Sequence, residues 1–519
     1  MGSRDMRARL LVSLLTATLA AAAACSGGRG GGGTATPATP TPPARPGFVV
    51  LRLHETLSIA KADGTALVDI TGAPAGTKTL VGFAPGDHVL YAVATTTTSN
   101  QIWSVKVDGS GNSLLSSGVT DFSGFADASH LLVQKGPGPD VTANPSRDLW
   151  LVPTDGSGEI ALATSSGDES FQGIHDSTIV FRRGPPTGPA DLYAIPALGG
   201  AETRLTTTNA AVAFKGFTSS GRVVYAAAGN LFAIGLDGNS PATIANGPNP
   251  EDVIAIQGER IVYVDKVPLM GAVDGDLYAI NSDGTAKATL AASAGQPESF
   301  AAITSDRLLF KRETSFMPPT LALFTIPLAG GTETSIGDIS NGGIDGVDGS
   351  TIVYHTGSPA KIHAIQADGT GGRTLTTGTT EDAVALIVSG RVLFTAFDGS
   401  AMKLFSVAET GGTAVQLRPG AGDDVLAAVT PASIVVISIA GPGGDPDLVG
   451  AALTGGGLHD LAASSDPEQF RAVTPDGRII YTRHRGSFLD DIYLIGGDAA
   501  GDVNVTDRPD ADVYLGFLP

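Results

Sequence analysis

Asp276-Leu277-Tyr278-Ala279-Ile280-Asn281-Ser282-Asp283-Gly284-Thr285 reads as a strand, a tight turn and the opening of a second strand. Leu277, Tyr278 and Ile280 place aliphatic, aromatic and β-branched side chains in a run too short for a helix, so a strand is favoured. Asp283-Gly284 brings turn chemistry, because glycine takes the positive φ that a hairpin needs without a steric penalty. The phrase recurs as 57–59, 102–105, 149–152, 192–195, 231–234, 323–326, 362–365, 404–407, a degraded 448–451, and 492–495, which makes eleven copies.

Asp63-Gly64, Asp108-Gly109, Asp155-Gly156, Asp237-Gly238 and Asp368-Gly369 repeat the turn, and Gly199-Gly200, Gly330-Gly331, Gly411-Gly412 and Gly455-Gly456 replace it elsewhere. Successive turn glycines lie about 39 to 47 residues apart, the period of a four-stranded propeller blade. A second apolar strand precedes each turn, as in Arg222 to Tyr225, Arg260 to Tyr263, Arg307 to Phe310, Arg391 to Phe394 and Arg478 to Tyr481. A strand of smaller residues precedes that one, such as Lys215 to Thr218 or Phe300 to Ile303, and suits the crowded centre of a ring. A short strand such as Ala288 to Leu290 follows the turn. From the centre outward these strands are A, B, C and D.

The fold class is therefore all-β, a β-propeller of about eleven four-stranded blades over residues 48–519. Eleven exceeds the usual four to eight blades. Two rings in series, six plus five or five plus six, are expected ahead of one large ring. A boundary would fall near 257–260 or 303–307, although no linker marks either point. The region opens on a B strand, Phe48 to Leu51, and closes on Val513 to Leu518, which reads as an A strand. The last strand can thus complete the first blade and remove an open sheet edge.

Residues 1–24 read as an export signal. Arg4, Arg7 and Arg9 precede an apolar run from Leu10 to Ala24 that is too short to span a membrane comfortably. Residues 25–47, rich in Gly, Thr and Pro, cannot bury a core and read as a tether. Their glycines form no phosphate loop, since no strand precedes them and no Lys-Ser/Thr follows. Cys25 is the only cysteine, which excludes an intrachain disulfide and a cysteine-based zinc site. A net charge of −20 sets the chain against nucleic-acid phosphate.

Ala22-Ala23-Ala24-Cys25 resembles a bacterial lipoprotein lipobox, with Ala22 where leucine is usual. The resemblance implies acylation of Cys25 and membrane attachment through lipid alone. Cleavage after the alanines without acylation is the alternative. Ser26 following the cysteine, by resemblance to known sorting rules, implies the outer membrane. The repeat itself resembles TolB-type bacterial propellers and, more loosely, YWTD-type propellers, carried by Leu277 to Ile280 with Asp283 to Thr285 and their relatives. That resemblance implies the fold and leaves function open. TolB proteins also carry an N-terminal α/β domain, which the short tether replaces here, so a TolB role in the Tol–Pal system is not implied.

There is no Gly-x-Ser-x-Gly, His-Glu-x-x-His or complete EF-hand loop, and no cofactor is expected. Acidic residues recur where A strands begin: Glu169, Glu251, Asp252, Glu298, Glu381, Asp382, Asp424 and Glu468, with Asp168, Asp423, Asp510 and Asp512. Basic residues recur where B strands end: Arg182, Arg183, Lys266, Lys311, Arg312, Arg483 and Arg485, with His484 among them. The D–A and B–C connections of a propeller share one face, so both sets belong at the mouth of the central channel. One reading is ion pairing between blades. The other is a charged mouth for a polar ligand, peptide or cation. Long B–C connections at 135–147, 183–190, 264–275, 311–320 and 482–490 fall on the same face, where binding residues usually sit. The expected function is a membrane-anchored binding or scaffold module for an envelope protein, peptide or polar ligand. The alternative is a propeller hydrolase or lyase acting on a glycan or peptide.

Overall fold

A computed structural model describes residues 47–519 apart from 54–55, 71–74, 97–98, 137–146, 166, 186–187, 209, 270–271, 294–295, 317–318, 441–444, 486–489, 507–511 and 519; the side chains of 53, 267–269, 272–274, 316 and 319 are likewise left undescribed. The signal, Cys25 and the tether up to residue 46 lie outside the described residues, and Gly47 already belongs to the ring. Residues 46–519 form one compact unit.

Forty-three strands assemble into nine four-stranded antiparallel sheets and one of seven strands. The seven-stranded sheet is two blades, because Ser113–Asp127 serves as strand D of the second and runs straight on as strand A of the third. That gives eleven blades. In the first, Asp512–Leu518 pairs with Phe48–Leu53, so the C-terminal strand supplies the missing strand A. The order A-B-C-D then holds in every blade.

The opening phrase acquires a physical meaning here. Leu277 and Ala279 of blade 6 pack into the core shared with blade 7. Tyr278 and Ile280 point the other way, into the core shared with blade 5. Strand B does the same: Leu308 and Phe310 face blade 6, and Leu309 faces blade 8. A strand buried on both faces reads as a continuous apolar run, because alternate side chains enter different cores. Each such side chain contributes about 1.5–3 kcal/mol by leaving water.

Eleven apolar cores result, each shared by two consecutive blades. They run from blade 1 with blade 2, around Tyr91 and Ile59, to blade 11 with blade 1, around Ile492 and Val49. The cycle passes 257–260 through the core of blades 5 and 6, and passes 303–307 through the core of blades 6 and 7. Neither point separates two rings. An ordinary inter-blade core covers each, and Arg260 crosses from blade 6 to donate to the Leu328 carbonyl at 3.0 and 2.9 Å. The ring is a single β-propeller of eleven blades.

The turns and the inner strands explain how the sequence allows this. In the phrase itself, Gly284 donates to the Asn281 carbonyl with φ +84°, and Asp283 Oδ1 accepts the Thr285 N–H at 2.9 Å. Only the glycine of the pair takes positive φ, the mark of a turn closed by a glycine bulge. Gly369 shows why space matters as well as φ. A Cβ built there would lie 2.5 Å from Thr334 Cγ2 of the preceding blade. Nine of the eleven A strands shift register between their third and fifth residues; that of blade 8 shifts between Ile344 and Gly346, its second and fourth, and the long strand of blade 3 shifts at three places. At the bulge of blade 4, a Cβ on Gly173 would meet the Phe217 ring of blade 5 at 2.8 Å. Small residues are used there because the next inner strand fills the space above them.

Candidate binding face

The A strands start, and the B strands end, on the face that carries the D–A and B–C connections. Register brings the two residue sets together as direct neighbours: Glu169 opposite Arg183, Glu298 opposite Arg312, and Glu468 opposite Arg483. In each pair the glutamate is buried and the arginine Nε lies 2.8, 2.8 and 2.9 Å from a carboxylate oxygen. The other end of the guanidinium meets an acid just before strand D. Arg183 holds Glu202 at 2.7 Å, Arg312 holds Glu333 at 2.8 Å, and Arg483 lies 3.8 Å from Asp502. Each guanidinium also covers a stacked pair of rings from strands B and C, Phe181 with Tyr193, Phe310 with Phe324 and Tyr481 with Tyr493. Blade 6 carries the inverse arrangement. Asp265 stands opposite Glu251, and Lys287, in the place of Glu202 and Glu333, lies 4.5 Å over the Tyr278 ring. Burial pushes Glu251 up, the Gly247 N–H pulls it back, and Asp265 pushes it up again.

A second arrangement serves blades 9 and 10. Asp382 and Asp424 open their A strands, and no arginine ends the B strand opposite. The cation comes from strand C of the preceding blade instead. Lys361 lies 2.7 Å from Asp382, and the fully buried Lys403 lies 3.7 Å from Asp424, which Arg418 also binds at 2.6 Å. Where the arginine is present, the residue at that strand C position of the preceding blade is acidic in all three cases, Asp148, Asp276 and Asp447. Asp148 faces Glu169, and Asp447 faces Glu468. Burial pushes both aspartates up, and the neighbouring glutamate adds to the push. Glu169, Glu298, Glu468, Asp382 and Asp424 are thus each met by a cation from their own blade or the one before, which offsets the cost of burying a carboxylate, whereas Glu251 faces Asp265.

The remaining sequence-predicted residues are more exposed. Asp252 is shared by Lys215 at 2.7 Å and Lys266 at 3.2 Å. Arg182 donates to the carbonyls of Pro185 and Gly188 in its own B–C connection. His484 Nδ1 lies 2.6 Å from Asp490, and Arg485 lies 3.1 Å from Asp491 and also reaches the Tyr493 hydroxyl. Glu381 is exposed and Lys311 half-buried. Asp510 lies outside the described residues. The face therefore gathers all the other predicted residues, but its most buried charges brace neighbouring strands and blades.

Two of the long B–C connections are not loops. Strands B and C continue outward as paired hairpins, Arg260–Leu269 with Ala272–Asn281 and Arg307–Phe316 with Pro319–Pro327, side by side in blades 6 and 7. The sequence reading also missed apolar exposure on this face. Phe397 and Met402, at the tip of the blade 9 hairpin, are 45 % and 37 % exposed, and Val425 on strand A of blade 10 is 61 % exposed. A signal existed for the two strand C lysines. Lys361 and Lys403 occupy the position just before the apolar phrase where Asp148, Asp191, Asp276 and Asp447 stand in other copies. Among the described residues, no group of three or more His, Cys, Asp or Glu is placed to hold a metal ion.

No family model matches the sequence, and no curated protein matches it. Solved structures similar to the chain include a puromycin-hydrolysing peptidase of Mycobacterium tuberculosis, at 14 % identity over 62 % of this chain and 60 % of that one, with a TM-score of 0.28. Dipeptidyl peptidase 4 of Porphyromonas gingivalis is 11 % identical over 79 % of this chain and 65 % of that one, with a TM-score of 0.34. A protein described as TolB from Agrobacterium tumefaciens is 15 % identical over 42 % of this chain and 84 % of that one, with a TM-score of 0.24. The chain thus spans less than two thirds of the length of either peptidase. The similarity is distant and is one of fold alone.

Proposed function

We propose that this protein is an exported, lipid-anchored propeller that serves as a binding module in the bacterial envelope. Its ligand is an envelope protein or a peptide, taken at the mouth formed by the B–C and D–A connections. One observation carries the reading. The buried charges of that face are engaged in bracing the ring, whereas Phe397, Met402 and Val425 are left exposed on blades 9 and 10, on the same face as the projecting hairpins of blades 6 and 7. Exposed apolar side chains on a rigid scaffold mark interaction surfaces.

Gly47, where the described ring begins, accepts the Ala62 N–H at 2.7 Å and so sits with the C–D turns, on the face opposite the hairpins. The test has two parts. Cys25→Ser should move the protein from the membrane to the soluble fraction; retention in the membrane overturns the anchor. The full-length Cys25→Ser chain should then capture a defined set of envelope proteins or peptides, and Phe397→Ser with Val425→Asp, or charge reversal in the blade 6 and 7 hairpins, should deplete that set. Identical capture by the native and altered mouths overturns the binding face.

A further inference from the structure

Blades 9 and 10 leave a shallow cleft of about 460 Å³ on the mouth face, lined by Ser400, Ala401, Asp423, Val425, Ile439 and Pro446 among others. Its wall is held from below. Asp424 takes the Leu404 N–H at 3.1 Å and the Arg418 guanidinium at 2.6 Å. Arg418 also donates to the Ala421 and Gly422 carbonyls at 2.8 and 3.0 Å. The buried Lys403 ammonium donates to the same Gly422 carbonyl. One side is pinned by the Met402 N–H, which donates to Asp423 Oδ1 at 2.8 Å. These bonds fix the connection between the two blades, so the cleft is formed before any ligand arrives and ordering costs on binding are small.

The chemistry of the cleft is two-part. Its wall is apolar where Val425, Ile439 and Pro446 meet, with Phe397 and Met402 exposed on the adjoining hairpin. Its rim is acidic. Asp423 and Asp398 are exposed, and Asp398 is held below the usual carboxylate range by the Ser400 hydroxyl and by the main-chain N–H groups of Ser400 and Ala401. The basic side chains beneath it, Lys403 and Arg418, are buried and engaged by Asp424. An anionic ligand would meet Asp398 and Asp423, and a purely polar one would leave the apolar wall unused.

Resting on the reading of this face as a binding mouth, we infer that the cleft between blades 9 and 10 takes a peptide segment of a partner protein that carries an apolar side chain flanked by lysine or arginine. The apolar side chain fills the wall at Val425, and the flanking cations lie against Asp398 and Asp423. Complementarity of this kind sets specificity and register, and its rim component weakens with salt.

The probe is a short fluorescein-labelled peptide with a leucine–phenylalanine centre and arginine ends, titrated by anisotropy into the full-length Cys25→Ser chain. Its counterpart has glutamate ends. The arginine peptide should bind at least about tenfold tighter than the glutamate peptide, with affinity falling several-fold as ionic strength rises past the point where exposed charges are screened. Val425→Asp should reduce binding about tenfold or more, and Asp398→Asn with Asp423→Asn should remove most of the salt dependence. Val425 is exposed, so an unchanged melting curve confirms that its variant folds. Equal binding of the two peptides, binding of neither, or indifference to Val425→Asp overturns the inference. If Val425→Asp is silent here while reversal of the blade 6 and 7 hairpins still abolishes capture of envelope material, the mouth reading stands and only the cleft is lost.

Discussion

Arg312 Nε lies 2.8 Å from Glu298 Oε1, and the same guanidinium reaches Glu333 at 2.8 and 2.9 Å. Strand A, strand B and the entry to strand D of blade 7 are thus tied at one point, over the stacked rings of Phe310 and Phe324. Arg312→Ala leaves Glu298 buried without its cation, at a cost of about 3–5 kcal/mol. Arg312→Lys keeps a charge but loses the fork, so chemical denaturation should place it between the two. A denaturation midpoint unchanged by Arg312→Ala would show that the pair adds nothing to the fold.

The seam between blades 3 and 4 adds a pH dependence. Burial and the adjacent Glu169 push the Asp148 carboxyl above its ordinary value. An acid raised in the folded state binds its proton more tightly there than in the unfolded chain. Its folded-state stabilisation is therefore greatest at low pH and is lost as pH rises from the ordinary value through the raised one. Asp148→Asn removes the second charge. It should raise the melting temperature at pH 7 and have little effect below the ordinary aspartate range. A variant that melts lower at pH 7 would contradict this.

Glu259 should show the opposite dependence. Burial works against its charge, but the hydroxyls of Ser282 and Ser219 and the Ser220 N–H hold the carboxylate, at 2.6, 2.8 and 2.6 Å, and bring its pKa down to about 2. The group joins the A–B turns of blades 5 and 6. Its stabilisation is present above the ordinary glutamate value and lost as pH falls toward about 2. Glu259→Gln should lower the melting temperature at pH 7 and lose its effect on acidification. The carboxylate is partly exposed, so solvent screening keeps the change in melting temperature small.

Closure depends on the C-terminal strand. Removing residues 512–519 takes away the partner of Phe48–Leu53 and leaves blade 1 with an unpaired inner edge. The truncated chain should self-associate or be cleaved preferentially within residues 48–70, read by light scattering and limited proteolysis. A monodisperse, protease-resistant product would show that ten complete blades hold the ring without it.

Gly369 tests the turns. It combines φ +86° with the 2.5 Å approach to Thr334 of the preceding blade. Gly369→Ala should cost more than about 1 kcal/mol, the upper end of the change expected for a glycine site that alanine can occupy without strain. Gly390→Ala is the matched control, with φ +70° but open space around the position, and should cost less. Equal losses would mean that φ alone matters and that the inter-blade contact is slack.

The four-strand blade, its period and the closing strand were legible because each has a local cause. Strand C announces itself in Leu277 to Ile280, the turn in Asp283-Gly284, and the missing strand A in Val513 to Leu518. The acid–base neighbours were legible as a set too, since strand register alone places Glu298 beside Arg312. Three matters were decided only by tertiary structure. One ring rather than two follows from the core that Ile492 shares with Val49, a contact between chain ends that no local pattern encodes. Which charges are occupied depends on the neighbouring blade, as with Lys403 and Asp424. The exposure of Phe397, Met402 and Val425 is likewise set by what the neighbouring strands leave uncovered where blades 9 and 10 form a cleft. Local sequence determines strands and turns through φ preferences and alternation. Burial is a property of what a neighbouring surface covers, and that is settled only when the ring closes.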